Sequence, residues 1–285
     1  MNITVIGETN IDIRVKAQEQ TIEGGCTPSS ITFHFGGVAR NIASNLRQMG
    51  HNVRLITLFG DDEYAARLKH DCEKQGIDLS LSDTKSSFHS PIFLSHIDNI
   101  GNVKSAFSDM AINNLMGKEW IESKMAEINH SDIVIADTLL DVDALIFLID
   151  HCKAQLFIDT VSPNKALRLA EALKKTNRGI FALKCNKIEA LAMTGQSVDD
   201  SIALTLSQMG IEHVYVTLGA EGVNYCDGDT LFHAPALPAE IKNVMGSGDA
   251  FLAGIVDAYS KGIKGKAAIP YGLAASKTVI ESSGD

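Results

Sequence analysis

Short apolar runs alternate with amphipathic stretches along most of the chain. Residues 3–6 (Ile-Thr-Val-Ile) read as a buried first strand, and residues 10–15 continue extended with alternating positions. Residues 18–30 are polar and contain Gly24, Gly25 and Pro28, which predicts a loop. Residues 31–35 (Ile-Thr-Phe-His-Phe) alternate like a strand with two unlike faces, ended by Gly36 and Gly37. Val38, Ile42, Leu46 and Met49 then fall on one stripe, predicting a helix over 38–49 closed by Gly50. A strand over 53–59 and a helix over 63–75 follow. Between 88 and 107 the period is two, with a turn at Asn99-Ile100-Gly101-Asn102, so a β-hairpin is predicted there.

From residue 118 the alternation of helix and strand resumes. Helices are predicted over 118–128, 143–152, 165–175, 188–193 and 201–209, with strands over 133–136, 156–158, 180–183 and 213–218. Residues 222–226 and 230–233 make a second hairpin, and 250–260 and 267–281 are helical. Short apolar strands separated by helices call for a mainly parallel sheet covered on both faces. Ligands of such sheets gather at the carboxyl ends of the strands, where Asp137, Asp159, Asn186 and Gly219 fall. With no internal repeat or linker, the expectation is one α/β domain over 1–285. Its β appendage would use strands at about 10–16, 30–36 and 88–107.

Composition narrows the function. The 285 residues, 45% hydrophobic and 21% charged, are ordinary for a globular protein with a substantial core. The net charge of −10 argues against nucleic acid as the main partner, and Trp120 and the phenylalanines show no base-stacking pattern with basic neighbours. It does not exclude a phosphorylated ligand at a local site. Five scattered cysteines without a CxxC pair read as a reduced, cytoplasmic protein, not as a disulfide framework or a zinc site. Residues 1–7 lead straight into a strand without a leader, and no apolar run of membrane length occurs, so no membrane is expected as partner. His34, His89 and His96 lie on or near hairpin strands without metal spacing and read as ordinary.

Candidate chemistry concentrates at residues 243–251, Asn-Val-Met-Gly-Ser-Gly-Asp-Ala-Phe. Phe251, Leu252, Ile255 and Val256 fall near one helical face, so Gly246, Ser247 and Gly248 are expected at a helix N-terminus. Amides there lack intrahelical partners and the dipole favours negative charge, which makes an anion cradle. Asp249 is out of place beside an anion unless it takes a proton from a nucleophile attacking there. The alternative is a plain helix cap. Asn10 and Asp12 follow the first strand, and Gly36, Gly37 and Asn41 open the first helix. Asp12 and Asn41 suit the paired hydroxyls of a sugar, and Gly37 lets a ligand near the backbone. The alternatives are a solvated strand residue and an ordinary helix-start turn. Asn186 and Glu189, where a strand gives way to a helix, form either a capping box or a magnesium–phosphate site acting through metal-bound water. Thr217, Gly219 and Gly222 end another strand and can also face phosphates.

These motifs, Gly7-x-x-Asn10-x-Asp12, Gly36-Gly37-x-x-x-Asn41, Asn186-x-x-Glu189, Thr217-x-Gly219-x-x-Gly222 and Gly246-x-Gly248-Asp249, resemble the ribokinase-like (PfkB) carbohydrate kinases in order and context. The resemblance runs from residue 3 to about 281. It implies a ribokinase-like three-layer α/β sandwich with a mainly parallel central sheet and a small β-sheet lid. It implies an ATP-dependent phosphotransferase with an alcohol acceptor. Asp249 would be the general base, with Gly246, Ser247 and Gly248 as the anion hole. Asn186, Thr217, Gly219 and Gly222 would meet the nucleotide, and Asn186 and Glu189 would organise Mg²⁺. Asn10, Asp12, Gly36, Gly37 and Asn41 would hold the sugar beneath the lid. Phosphoryl transfer needs these parts: an in-line nucleophile, charge neutralisation and exclusion of water. A K⁺ site beside the glycine loop is common in such kinases.

Within the family, Ser108-Asp109-Met110, Ala136-Asp137, Asp159-Thr160-Val161-Ser162 and Asn243-Val244 are most similar to pseudouridine kinases. That makes Asp109 and Asp137 candidates to read uracil or ribose, with a turn residue as the alternative for Asp109. The expected acceptor is then the 5′ hydroxyl of pseudouridine. A free sugar such as ribose or fructose, or a common nucleoside, is the runner-up, and a non-catalytic nucleoside-binding protein is the rival from another class. Three positions depart from the family pattern: Ser247 stands for a usual alanine, Met245 for threonine and Cys185 for proline. Relatives continue beyond the position of residue 285 into a loop and helix that wall the adenine pocket. The sequence is therefore shortened, or its nucleotide site is more open. Exposed lid strands suggest a homodimer through the lid.

Overall fold

The computed structural model describes residues 1–22, 24–196 and 201–282. Glu23, inside the loop expected over 18–30, and residues 283–285, part of the expected C-terminal end, lie outside the described residues. In chain order the strands are β1 (Asn2–Ile6), β2 (Asn10–Ala17), β3 (Ser29–Gly36), β4 (Asn52–Ile56), β5 (Leu58–Gly60), β6 (Asp83–Lys85) and β7 (Ile92–Ile97). They continue with β8 (Val103–Asp109), β9 (Ile133–Asp137), β10 (Gln155–Asp159), β11 (Ile180–Asn186), β12 (Ile211–Thr217), β13 (Val223–Cys226) and β14 (Leu231–Ala234).

Strand β9 shows why the short apolar runs become a buried sheet. Ile133 and Ile135 point into one apolar cluster, and Val134 and Ala136 into another. The same alternation places Phe157 of β10 on the first side and Leu156 and Ile158 on the second. A strand with both faces dry must be apolar throughout, so its sequence is a run and not an alternation. Among the described residues, eight strands form this sheet in the order β14-β13-β12-β11-β10-β9-β1-β4, parallel except for the antiparallel β13 and β14. Helices Val38–Gln48, Ser247–Ser260 and Ile269–Ile280 cover one face; Val142–His151, Pro163–Leu173, Lys187–Thr194 and Ile202–Ser207 cover the other. The result is the three-layer sandwich expected.

The appendage is a separate four-stranded sheet, β3-β2-β7-β8. Its two hairpin-forming pairs are antiparallel, and β2 pairs with β7 in parallel. Residues directly opposite one another share a face, so Asp12 lies in a row with His34 and Phe93, and Ile13 in a row with Phe33, Leu94 and Phe107.

Two expected elements divide. The strand over 53–59 breaks at Thr57: β4 stays in the main sheet beside β1, while β5 leaves it to pair with β6, a strand the sequence did not announce. The helix over 118–128 splits into Lys118–Glu122 and Met125–Ile128. There the Ser123 hydroxyl donates to the Trp120 carbonyl at 2.7 Å, a local bond that competes with helix continuation. No helix among the described residues is long and apolar enough to cross a membrane.

Phe157 is fully buried at mid-sheet and meets Phe181 and Tyr259 edge-on at 5.2 and 5.3 Å. Phe157→Ala should lower the unfolding free energy by about 3–5 kcal/mol, read from denaturant midpoints at unchanged slope.

Candidate active site

Three parts of the chain converge at the carboxyl ends of the parallel strands. The first is the turn into helix Ser247–Ser260. Gly246 caps it in the left-handed region (φ 76°), a conformation a side chain would strain. No side chain caps this helix end, and the amides of Gly248 and Asp249 have no acceptor among the described residues. The Ser247 hydroxyl is turned back to the Val244 carbonyl at 2.8 Å. Asp249 is not the cap. It sits in the first turn, 8% exposed, and its Oδ2 accepts a hydrogen bond of 2.9 Å from Asn41 Nδ2.

The second part carries Asn41 and Asp12. Gly37 starts helix Val38–Gln48 at φ 96°, and a Cβ there would lie 2.4 Å from the Glu8 carbonyl oxygen, so only glycine fits this crossing of β1–β2 and helix. Asn10 Nδ2 donates to Asp12 Oδ1 at 2.6 Å, and Gly36 leaves room for the Asp12 carboxylate. Burial raises the Asp12 carboxyl above its ordinary value, against the Asn10 bond and the charges of Arg14, His34 and Arg40. Asp12 is thus part-buried, not a solvated strand residue.

The third part contains a residue that pattern reading passed over. Lys184, on β11 directly opposite Asp159 of β10, is 6% exposed, and its Nζ donates to Asp159 Oδ2 at 2.9 Å. A Cβ on Gly248 would stand 2.8 Å from Lys184 Nζ, so the ammonium lies against the first turn of the Asp249 helix. Burial alone would lower Lys184, but the carboxylates of Asp159, Asp249 and Glu189 hold it above its ordinary value. Conversely, burial pushes the Asp249 carboxyl up to about 7; Asp159 adds to the rise, while Lys184 and the Asn41 bond oppose it.

Asn186 and Glu189 form the capping box in full. Asn186 Oδ1 accepts from the amides of Ile188 and Glu189, and Glu189 Oε2 accepts from the Asn186 amide at 2.8 Å and the Thr160 hydroxyl at 2.6 Å. Glu189 Oε1 has no donor among the described residues, and no cluster of three metal-ligating side chains occurs among them. This donor set does not build a direct protein cage. It fits a hydrated Mg²⁺ held through water and by ligand phosphates.

Two clefts meet at the Gly246 turn. One, about 500 Å³, is lined by Asp12, Arg14, His34, Asn41, Asn243 and Gly246. The other, about 460 Å³, is lined by Thr217, Gly219, Gly222, Ser247 and Gly248, with an apolar wall that includes Leu237, Val244 and Ile280. The wall went unnoticed in the sequence because its residues come from separate segments without a shared period.

Asp137 and Asp109 join neither cleft. Asp137 is 1% exposed and accepts from the amides of Glu8 and Leu139 at 2.8 and 3.0 Å, a clamp between β9 and β1. Burial drives its carboxyl to about 7, against the Glu8 amide bond. Asp109 is exposed at the end of β8, 3.4 Å from the Ala111 amide, in the turn geometry of the alternative reading. A nearby group missed by pattern is Glu8, whose Oε1 accepts from Asn113 Nδ2 at 3.1 Å; Thr9 Oγ1 and Asn113 Oδ1 beside it are buried without partners among the described residues.

The model of pfkB family carbohydrate kinases matches residues 1–285. The chain belongs to this family. It is 28% identical over 269 residues to the pseudouridine kinase of Escherichia coli, covering 92% of this chain and 84% of that protein. A carbohydrate kinase from Agrobacterium tumefaciens superposes with a TM-score of 0.86 at 29% identity, covering 99% of this chain and 91% of that one. The ribokinase of Thermotoga maritima also reaches a TM-score of 0.86, at 22% identity over 98% and 93% of the two chains, and shows the same fold. The pfkB kinases transfer a phosphoryl group to an alcohol, with ATP and Mg²⁺ in general; this chain is a carbohydrate or nucleoside kinase of that family.

A carboxyl held near 7 instead of its ordinary 3.8 stays protonated in the folded chain over a range where the unfolded chain has ionised. Its stabilising contribution is full below pH 3.8 and is lost as pH rises through 7. Asp249→Asn removes that loss, so the variant should gain stability relative to wild type between pH 4 and pH 8, checked by urea unfolding at both.

Proposed function

We propose that the protein is an ATP-dependent kinase that phosphorylates the 5′ hydroxyl of pseudouridine, giving pseudouridine 5′-phosphate. The observation that carries the reading is Asp249, a buried carboxylate bonded to Asn41 of the polar cleft and set in the first turn of the helix whose Ser247 and Gly248 line the other cleft, beside amides without acceptors among the described residues. In this reading Asp12 and Asn41 bind the ribose hydroxyls, with Asn10, Gly36 and Gly37 holding and making room for them from behind. Asp249 takes the proton of the 5′ hydroxyl. The oxygen attacks the γ-phosphorus, the bond to the β-phosphate oxygen breaks, and ADP leaves. Gly246, Ser247 and Gly248 receive the charge that builds on the transferring oxygens. Thr217, Gly219 and Gly222 face the nucleotide. Asn186 and Glu189 hold the water shell of Mg²⁺, which when bound neutralises phosphate charge.

Similarity to a pseudouridine kinase supports the choice of acceptor. The reading includes a homodimer through the lid face that exposes Phe33 and Phe107. A kinase of ribose, fructose or a common nucleoside is the second reading of the same site, and a nucleoside-binding protein without turnover is the third.

A coupled assay across pseudouridine, uridine, ribose and fructose should show turnover with pseudouridine above the others. Turnover of a free sugar and none of pseudouridine refutes the acceptor. Asp249→Asn should lower kcat by about 10²–10⁴, and the wild-type rate should rise through a single ionisation near pH 7. Equal turnover in wild type and Asp249→Asn, with pseudouridine still bound, would leave the binding-protein reading standing. The same assay with Na⁺ in place of K⁺ reads any monovalent-cation requirement.

A further inference from the structure

The segment Asp159-Thr160-Val161-Ser162 has no task in the proposal above, yet it is the most unusual backbone near the site. Val161 has φ 58°, the single non-glycine residue at positive φ among those described. A β-branched side chain is strained there. The turn is held from several sides. The Val161 amide donates to Asp159 Oδ1 at 2.9 Å, the Ser162 amide to the Thr160 carbonyl at 2.5 Å, and the Thr138 hydroxyl to the same carbonyl at 2.6 Å. One Asp159 oxygen is thereby fixed by its own turn, and the other receives Lys184. An ammonium has three donors, and this one has a single acceptor among the described residues. The rest of its donor capacity lies buried against Gly248, beside the two unoccupied amides of the helix start.

We propose that Lys184 is a further phosphoryl-contacting residue, a fixed cation completing the anion hole, and that Asp159, locked by the Val161 turn, is the positioning residue that aims it. This inference rests on the kinase reading. A buried ammonium with unused donors has capacity for a further acceptor, an anion makes the strongest such bond, and the amides of Gly248 and Asp249 in the adjoining helical turn also lack acceptors among the described residues. Three carboxylates, Asp159, Asp249 and Glu189, already surround Lys184. Only Asp159 bonds it, so the lysine can bridge toward a ligand without leaving its anchor. Thr160, whose hydroxyl donates to Glu189 Oε2, ties the same turn to the proposed metal-side residues.

The test compares Lys184→Met, Asp159→Asn and the double variant Asp159→Asn/Lys184→Met. The single lysine variant strands a buried carboxylate and can fail to fold; the double variant removes both charges and keeps the test alive. Calorimetry with AMP-PNP and with ADP, without acceptor, gives a readout separate from turnover. The double variant should bind AMP-PNP about tenfold or more weaker than wild type, with ADP affinity nearly unchanged. Its kcat should fall about 10²–10³ with acceptor KM little altered. Asp159→Asn alone should show a smaller loss in the same direction. Wild-type kcat and AMP-PNP affinity in the double variant would mean that Lys184 only balances Asp159, overturning this inference and leaving the kinase reading intact. Equal weakening of AMP-PNP and ADP would overturn it too. If wild type itself transfers phosphate to no acceptor, the kinase reading falls and this inference with it.

Discussion

The hydrogen bond from Asn41 to Asp249 joins side chains 208 residues apart, one from the helix that follows the lid, the other from the helix that follows the glycine turn. A carboxylate this deeply buried is costly to charge and favours its neutral form. What moderates the cost is specific: an amide donor from one side and the Lys184 ammonium from the other, each delivered by a different element. The glycine turn, the first helix and the ends of β10 and β11 must therefore come together in one arrangement, or the carboxylate is left dry and unsupported. The same arrangement sets a proton affinity suited to accepting a proton near neutrality.

The main sheet could be read from the chain because doubly covered parallel strands are written as uninterrupted apolar runs, as in 133–136 and 156–158. The lid was legible as the alternation of residues 31–35, although its apolar face is not covered: Ile31 and Phe33 are 56% and 52% exposed. What escaped depended on partners far away in sequence. The polar β6 becomes a strand only because β5 turns toward it, and Thr57 marks that departure with no local sign. The helix over 118–128 has helical composition throughout; its break comes from a hydroxyl choosing a nearby carbonyl.

The candidate site was legible where its residues are contiguous. Gly246 through Asp249 and Gly36 through Asn41 each lie on one turn, so spacing alone gathers them. Lys184 and Asp159 are neighbours through strand register, which no spacing announces, and the apolar wall of the second cleft is assembled from separate segments. Asp137 has a role that its place at a strand end does not announce. Its oxygens accept from the amides of Glu8 and Leu139, which fastens β9 to the end of β1. Asn186 and Glu189 satisfy the capping reading completely, which leaves Glu189 Oε1 and the Asn186 side-chain amide free of partners among the described residues.

The value near 7 for Asp249 has a consequence for the idle protein. At neutral pH such a carboxyl is about half ionised, so the resting population is divided between chains ready to take a proton and chains already carrying one. A modest change in acidity redistributes that population, and the readiness of the protein tracks its surroundings through a single side chain.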